Sequence, residues 1–189
     1  MNPIFILVGP SGVGKSTVQE RLLQDRDLHL SRAITTTTRA PRPGETEGVD
    51  FYFLTNQAFE DLVKAEGFVE WVETFGRRYG TTKQELEARL AKGPVLMVAD
   101  IRGARSIKAQ YPSTHILFLD APREALVRRI EERPGTTPED LERRLKKIDE
   151  EKAGAKEADV TLFNPDGELD TTIENVRRFI SQQLAGSLH

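Results

Sequence analysis

The chain has 189 residues, 38% hydrophobic and 30% charged, with a formal net charge of −3 and no cysteine. That length supports one substantial core with room for an insertion; the balance excludes a disordered chain and a protein that holds nucleic acid by bulk positive charge, and the missing cysteines exclude disulfides, thiolate nucleophiles and Cys-ligated metals. The opening "MNPIFILVGP" has five consecutive apolar residues and no basic stretch, and no window reaches the roughly 20 apolar residues of a membrane helix, so a cytoplasmic protein without a signal peptide is expected.

Short apolar runs alternate with longer stretches of helical period, which predicts an α/β fold with a parallel sheet covered by helices. The run at 4–8, "IFILV", reads as a strand buried on both faces, and a helix is expected over 16–24. A further parallel strand is expected near 31–36, giving a core sheet of about five strands. Residues 48–54 ("GVDFYFL") and 67–82 ("GFVEWVETFGRRYGTT"), with a helix over 57–66 between them, break the rhythm and read as a small β-rich insertion. The alternation then resumes with a helix over 83–92, a strand over 95–99, a helix over 103–110, a strand over 116–119 and a helix over 123–132. "ERPGTTPED" at 132–140 interrupts two charged helices with Pro and Gly, as the tip of a lid would. A helix over 138–157, a strand over 160–163 and a helix over 169–184 complete the chain.

Residues 9–16 fit G-x-x-x-x-G-K-[ST] between a predicted strand and a predicted helix, the context that motif requires. Glycines let successive backbone N–H groups turn toward phosphate oxygens, and the helix start adds the positive end of its dipole. Gly9, Pro10, Ser11, Gly12, Val13, Gly14, Lys15, Ser16 and Thr17 are therefore candidate contacts to a nucleoside triphosphate. Lys15 supplies a full charge toward the β and γ phosphates, and the Ser16 hydroxyl a ligand for Mg²⁺. The loop does not name the acceptor, because GTPases, ATPases and kinases share it.

In "TTTTRAPRPGETEGVDFYF" Arg39 and Arg42 stand three apart around Pro41, a spacing that suits paired hydrogen bonds to a phosphate and equally suits a solvated basic turn paired with Glu45 and Glu47. This stretch resembles the guanylate kinases, whose pattern T-T-R-x-P-R-x-G-E-x-x-G-x-D-Y-x-F is matched over 37–53 with Phe51 as the single substitution. "GFVEWVETFGRRYGT", "VADIRGARSIK", "RRIEERPGTTPEDLERRL" and "FNPD" follow in family order, so the resemblance runs from about 4 to 179.

The resemblance implies a P-loop NTPase three-layer fold. A core (about 1–34, 82–125 and 158–189) binds ATP, an inserted region (about 35–81) binds GMP, and a helical lid (about 126–157) closes over both. It implies ATP:GMP phosphotransfer with Mg²⁺, dGMP being a further acceptor, and no nucleic acid polymer or membrane as partner. By position Arg39, Arg42 and Tyr79 match groups that hold the GMP phosphate, and Thr35, Glu70, Thr81 and Asp100 match those reading guanine. Arg129, Arg133 and Arg144 match lid arginines with Lys15 in the transfer step, and Asn164 matches a residue near adenine. The chemistry agrees, since a carboxylate such as Glu70 accepts from guanine N1–H and N2–H₂ together, whereas adenine has no N1–H.

From the residues alone, Glu70 beside Trp71 reads equally as the wet face of a strand, Tyr79 as a packing aromatic, Thr35 and Thr81 as strand formers, and Asn164 as an Asx turn. Phe51, Val98, Arg102 and Pro134 depart from the family pattern, and Phe51 removes one hydroxyl from the phosphate site. These departures motivate a rival acceptor, another phosphorylated small molecule. A guanylate-kinase-like protein-binding module is disfavoured by the intact loop, and a P-loop GTPase by the absence of N-K-x-D.

Overall fold

A computed structural model describes residues 2–74, 76–132 and 137–186. In chain order its elements are β1 (Ile4–Val8), α1 (Lys15–Leu23), β2 (Thr36–Thr37), β3 (Tyr52–Phe53), α2 (Asn56–Lys64), β4 (Phe68–Thr74), β5 (Arg77–Thr82) and α3 (Lys83–Leu90), then β6 (Val95–Val98), α4 (Ile101–Gln110), β7 (Thr114–Asp120), α5 (Arg123–Glu131), α6 (Pro138–Lys152), β8 (Val160–Phe163) and α7 (Leu169–Gly186). The core sheet runs β6-β1-β7-β8, all pairs parallel. All five residues of β1 are fully buried because the strand pairs on both edges and is covered on both faces.

The pleat splits β1 between two cores. Phe5 and Leu7 pack with Val18, Leu22, Leu126, Ile148, Val176 and Ile180 from the α1, α5, α6 and α7 side. Ile4, Ile6 and Val8 pack with Leu86, Leu90, Ala104 and Ile107 from α3 and α4. The result is a three-layer α/β architecture. Every core strand points the same way, so the segments after Val8, Val98, Asp120 and Phe163 emerge at one edge, where open parallel sheets bind ligands.

Two expectations are corrected. The predicted fifth core strand contributes only a parallel bridge from Ser31 to Val95, because the Ile34 amide is taken by the Glu85 carboxylate at 2.9 Å and the chain turns away into the insertion. The helix expected over 138–157 ends at Lys152 and tightens into a 3-10 turn, Ala153–Glu157, where Gly154 lies so close to Ile101 that an added Cβ would meet it at 3.2 Å. The insertion is a second sheet, β3-β2-β5-β4, in which β4 and β5 form an antiparallel hairpin and α2 links β3 to β4.

Candidate active site

The glycine loop follows β1 and wraps the start of α1. Gly9, Gly12 and Gly14 adopt φ of 138°, 82° and 100°, backbone that side chains strain to reach. At Gly9 an added Cβ would also lie 2.2 Å from the Leu119 carbonyl oxygen, so that residue must be glycine. The Val13 amide donates to the Pro10 carbonyl at 3.2 Å, which tightens the curl. Lys15 folds back across it and donates to the carbonyls of Gly9 (2.6 Å) and Pro10 (3.0 Å). Ser16 and Thr17 are exposed in the first turn of α1.

The loop already binds an anionic group. Ser11 N–H donates to the Glu151 carboxylate at 2.9 Å, and Arg144 donates to the Ser11 hydroxyl at 2.8 Å. Both side chains come from α6, seven residues and two turns apart and hence on one face. Next to Glu151, Lys152 donates to the Ala121 carbonyl and pairs with Asp120, each at 2.9 Å, fastening α6 to the end of β7.

Asn164 is buried, 3% exposed, at the end of β8. Its amide donates to the Val13 carbonyl at 2.7 Å and its oxygen accepts from Thr172 at 3.2 Å, bracing the glycine loop against α7. Arg129 donates to the Asn164 carbonyl and to Asp166, each at 3.0 Å, and Asp166 also pairs with Arg128. The Arg129 pKa is lowered, first by burial and then by the Arg128 charge. A cavity of about 370 Å³ lies between Gly12, Gly14, Thr17, Arg129 and residues 164–167.

In the insertion Arg39 grips Glu45 through two hydrogen bonds of 2.9 and 2.8 Å, and Glu45 also accepts from the Arg42 amide at 2.7 Å. The pair raises the Arg39 pKa and lowers that of Glu45. The Arg39 guanidinium lies 5.2 Å from the Phe51 ring centre, and Tyr79 meets that ring edge-on at 6.3 Å. Arg42 keeps an exposed side chain beside this group. Thr35 contributes its carbonyl to Tyr52 N–H at 2.9 Å, on the strand path beside them.

Glu70 on β4 accepts from the Thr81 amide across the hairpin at 3.0 Å, and Thr81 is buried. Asp100 caps α4 by accepting from Gly103 N–H at 2.7 Å and pairs with Arg102 at 3.2 Å. Both carboxylates close on Gly103, where an added Cβ would meet Glu70 Oε2 at 3.1 Å and Asp100 Oδ1 at 3.3 Å. The Glu70 pKa is pushed up to about 7, chiefly by burial; the Thr81 hydrogen bonds oppose the rise and the Asp100 charge adds to it. Glu70, Trp71, Asp100, Arg102 and Gly103 line a cavity of about 640 Å³. Asp100 and Arg102 also line a neighbouring cavity of about 280 Å³ whose other walls include Gly9, Lys147 and Glu151.

The sequence-predicted residues thus fall into four groups: the loop with Arg144; the Arg129–Asn164 brace; Glu70, Thr81 and Asp100; and, in the insertion, Arg39 and Tyr79 around Phe51 with Arg42 joined through Glu45. Arg133 lies outside the described residues, as does Pro134. Among the described residues no group of three or more His, Asp or Glu side chains could hold a metal. The exposed Ser16 hydroxyl, in the first turn of α1, is an oxygen donor of the kind Mg²⁺ takes beside substrate phosphates and water.

Compared with known proteins, the guanylate kinase family model matches residues 1–183. The chain belongs to the guanylate kinase family. It is 46% identical over 164 residues to a guanylate kinase of Thermobifida fusca, covering 85% of this chain and 83% of that one. With a guanylate kinase of Streptomyces kasugaensis the identity is 42% over 179 residues, covering 93% and 83%. The crystal structure of guanylate kinase from Anaplasma phagocytophilum superposes with a TM-score of 0.76 at 26% identity, covering 96% of this chain and 86% of that one. The family fold and the P-loop core are therefore those of this chain. No described helix is long and apolar enough to cross a membrane.

Reading the guanylate kinase motifs in sequence missed Glu151, Asp166 and Glu85, the carboxylates that hold the loop, the arginines of α5 and the insertion. Glu85 accepts from Ile34 N–H, Tyr52 hydroxyl and Arg89 at 2.9, 3.2 and 2.8 Å. Glu151 and Asp166 carry no local signal, their partners lying 140 and 37 residues away, whereas Glu85 follows the Thr82 cap by three residues and pairs with Arg89 four on.

Proposed function

We propose that this chain transfers the γ-phosphoryl group of ATP to GMP, giving ADP and GDP, with dGMP as a second acceptor, in the cytoplasm and without a nucleic acid or membrane partner. The observation that carries the reading is the convergence of Glu70 and Asp100 on Gly103, in a cavity that continues through Asp100 and Arg102 toward the glycine loop. Two adjacent carboxylates over a residue without a side chain suit the adjacent donors N1–H and N2–H₂ of guanine. A base lacking those donors would leave the half-buried Glu70 carboxylate unpaired and is rejected for that reason.

In this reading the glycine loop amides and Lys15 hold the triphosphate, as the Ser11 amide already holds a carboxylate. Lys15 leaves the Gly9 and Pro10 carbonyls for the β and γ phosphates. The Ser16 hydroxyl would hold Mg²⁺, and the ion would supply positive charge that offsets that of the phosphates. The Arg39, Arg42 and Tyr79 group holds the GMP phosphate, Arg39 exchanging a Glu45 oxygen for a phosphate oxygen. Thr35 and Thr81 flank guanine. Arg144, Arg129 and Arg133 supply positive charge from the lid as it shuts, excluding water from the transfer. Asn164 acts through the loop, holding Val13 in place beneath the adenine side. The regions about 35–81 and 126–157 are the GMP-binding and lid parts of one domain.

The test is ADP formation from Mg-ATP with GMP, dGMP, AMP, UMP or no acceptor. Turnover stimulated by GMP and dGMP and absent in Lys15→Ala supports the proposal. Turnover indifferent to acceptor, or stimulated by AMP or UMP, rejects it.

A further inference from the structure

The contact between α6 and the glycine loop is built from opposite charges on a single residue. Ser11 receives Arg144 on its hydroxyl at 2.8 Å and gives its amide to Glu151 at 2.9 Å. The two side chains share one face of α6, and both face a loop whose ligand carries several negative charges. An incoming phosphate acts oppositely on them: it attracts the guanidinium and repels the carboxylate, which already sits on a loop amide. Lys152, next to Glu151, is anchored to Asp120 and Ala121, and Ile148 is fully buried in the core, so this end of α6 cannot drift aside without cost.

We propose that Glu151 is an autoinhibitory contact: in the nucleotide-free protein its carboxylate occupies the loop in place of a phosphate oxygen, and triphosphate binding must first displace it. The inference rests on the reading of the loop as the ATP site. Ser11 is then the docking post of the lid. Glu151 and Arg144 hold it together while the contact is made, and Arg144 alone holds it once a phosphate has displaced the carboxylate. Apparent affinity falls by the fraction of molecules with the contact open, so a contact made ten times out of eleven weakens binding about 11-fold.

Binding of the non-hydrolysable analogue AMPPNP, with Mg²⁺ and without GMP, is measured by calorimetry on the full chain and on Glu151→Gln. Glu151→Gln keeps the size of the side chain and removes its charge. It should bind AMPPNP about 3- to 10-fold more tightly, while GMP binding alone is unchanged. Asp149→Asn removes the same charge from the same helix, from a side chain 3.8 Å from Arg123, and should leave AMPPNP affinity as it is. In the absence of nucleotide, amide exchange at Ser11 should be faster in Glu151→Gln than in the parent and unchanged in Asp149→Asn. Equal or weaker AMPPNP binding by Glu151→Gln overturns the proposal, as does an equal gain in Asp149→Asn, which would make it an effect of bulk charge. If the parent chain bound no AMPPNP at all, the reading of the loop as the ATP site would fail instead.

Discussion

Glu70 offers the sharpest test of the proposed guanine site, because burial and the role proposed for it pull its proton in opposite directions. Its surroundings raise its pKa from 4.5 to about 7, with burial the largest cause. Between these values the folded protein binds a proton that the unfolded chain does not, so stability is greatest at low pH and falls as pH rises through this window. At 1.36 kcal/mol per unit the shift costs about 3 kcal/mol once Glu70 is ionised. Guanine needs the ionised form, since only that oxygen pair accepts from N1–H and N2–H₂ together. With a pKa of about 7, roughly 9% of sites are ionised at pH 6 and roughly 91% at pH 8, so the Glu70 contribution weakens GMP binding about tenfold at the lower pH. Glu70→Gln should raise the GMP KM about 100-fold at pH 8, from two charge-assisted hydrogen bonds at about 1.5 kcal/mol each. The GMP phosphate titrates in the same range, so the informative quantity is the KM ratio of variant to parent at pH 6, 7 and 8. That ratio should fall about tenfold from pH 8 to pH 6, while apo Glu70→Gln melts above the parent at pH 8. A ratio constant across this range would refute the reasoning.

Phe51→Tyr adds a hydroxyl beside Arg39 and Tyr79 and should lower the GMP KM about 2- to 10-fold, leaving the ATP KM alone; steady-state kinetics varying each substrate in turn check both halves. Gly9→Ala drives a Cβ to 2.2 Å from the Leu119 oxygen at a φ of 138°, and denaturant unfolding should show a loss of about 3 kcal/mol or more. Asn164→Ala leaves the Val13 carbonyl without the Asn164 amide, and should cost about 1–3 kcal/mol in thermal unfolding and raise the ATP KM more than the GMP KM.

Much of the fold was legible before any coordinates, for a local reason. "IFILV" must be buried on both faces whatever it pairs with, and it is the centre of the core sheet. The β8 strand was expected over the residues it occupies, 160–163, because an isolated apolar run between charged segments has few other uses. The spacing of the glycine loop was readable from the string itself, and Gly9, Gly12 and Gly14 take positive φ there. Chain-long family motifs likewise carried the proposal of which residues meet guanine and phosphate.

Partner choice was not legible. Residues 31–36 have strand composition, yet Glu85, about fifty residues on, takes the Ile34 amide and turns the chain out of the core sheet. Asn164 carries the same letter whether it faces a base or braces a loop, and only the approach of Val13 and Thr172 decides that it braces. The charge run of α6 reads as a solvated face until the packing of Ile148 sets the helix angle and lays Arg144 and Glu151 on Ser11. Periodicity and backbone geometry depend on neighbours in sequence. Which charge meets which amide depends on how whole elements pack, and that information belongs to the three-dimensional arrangement alone.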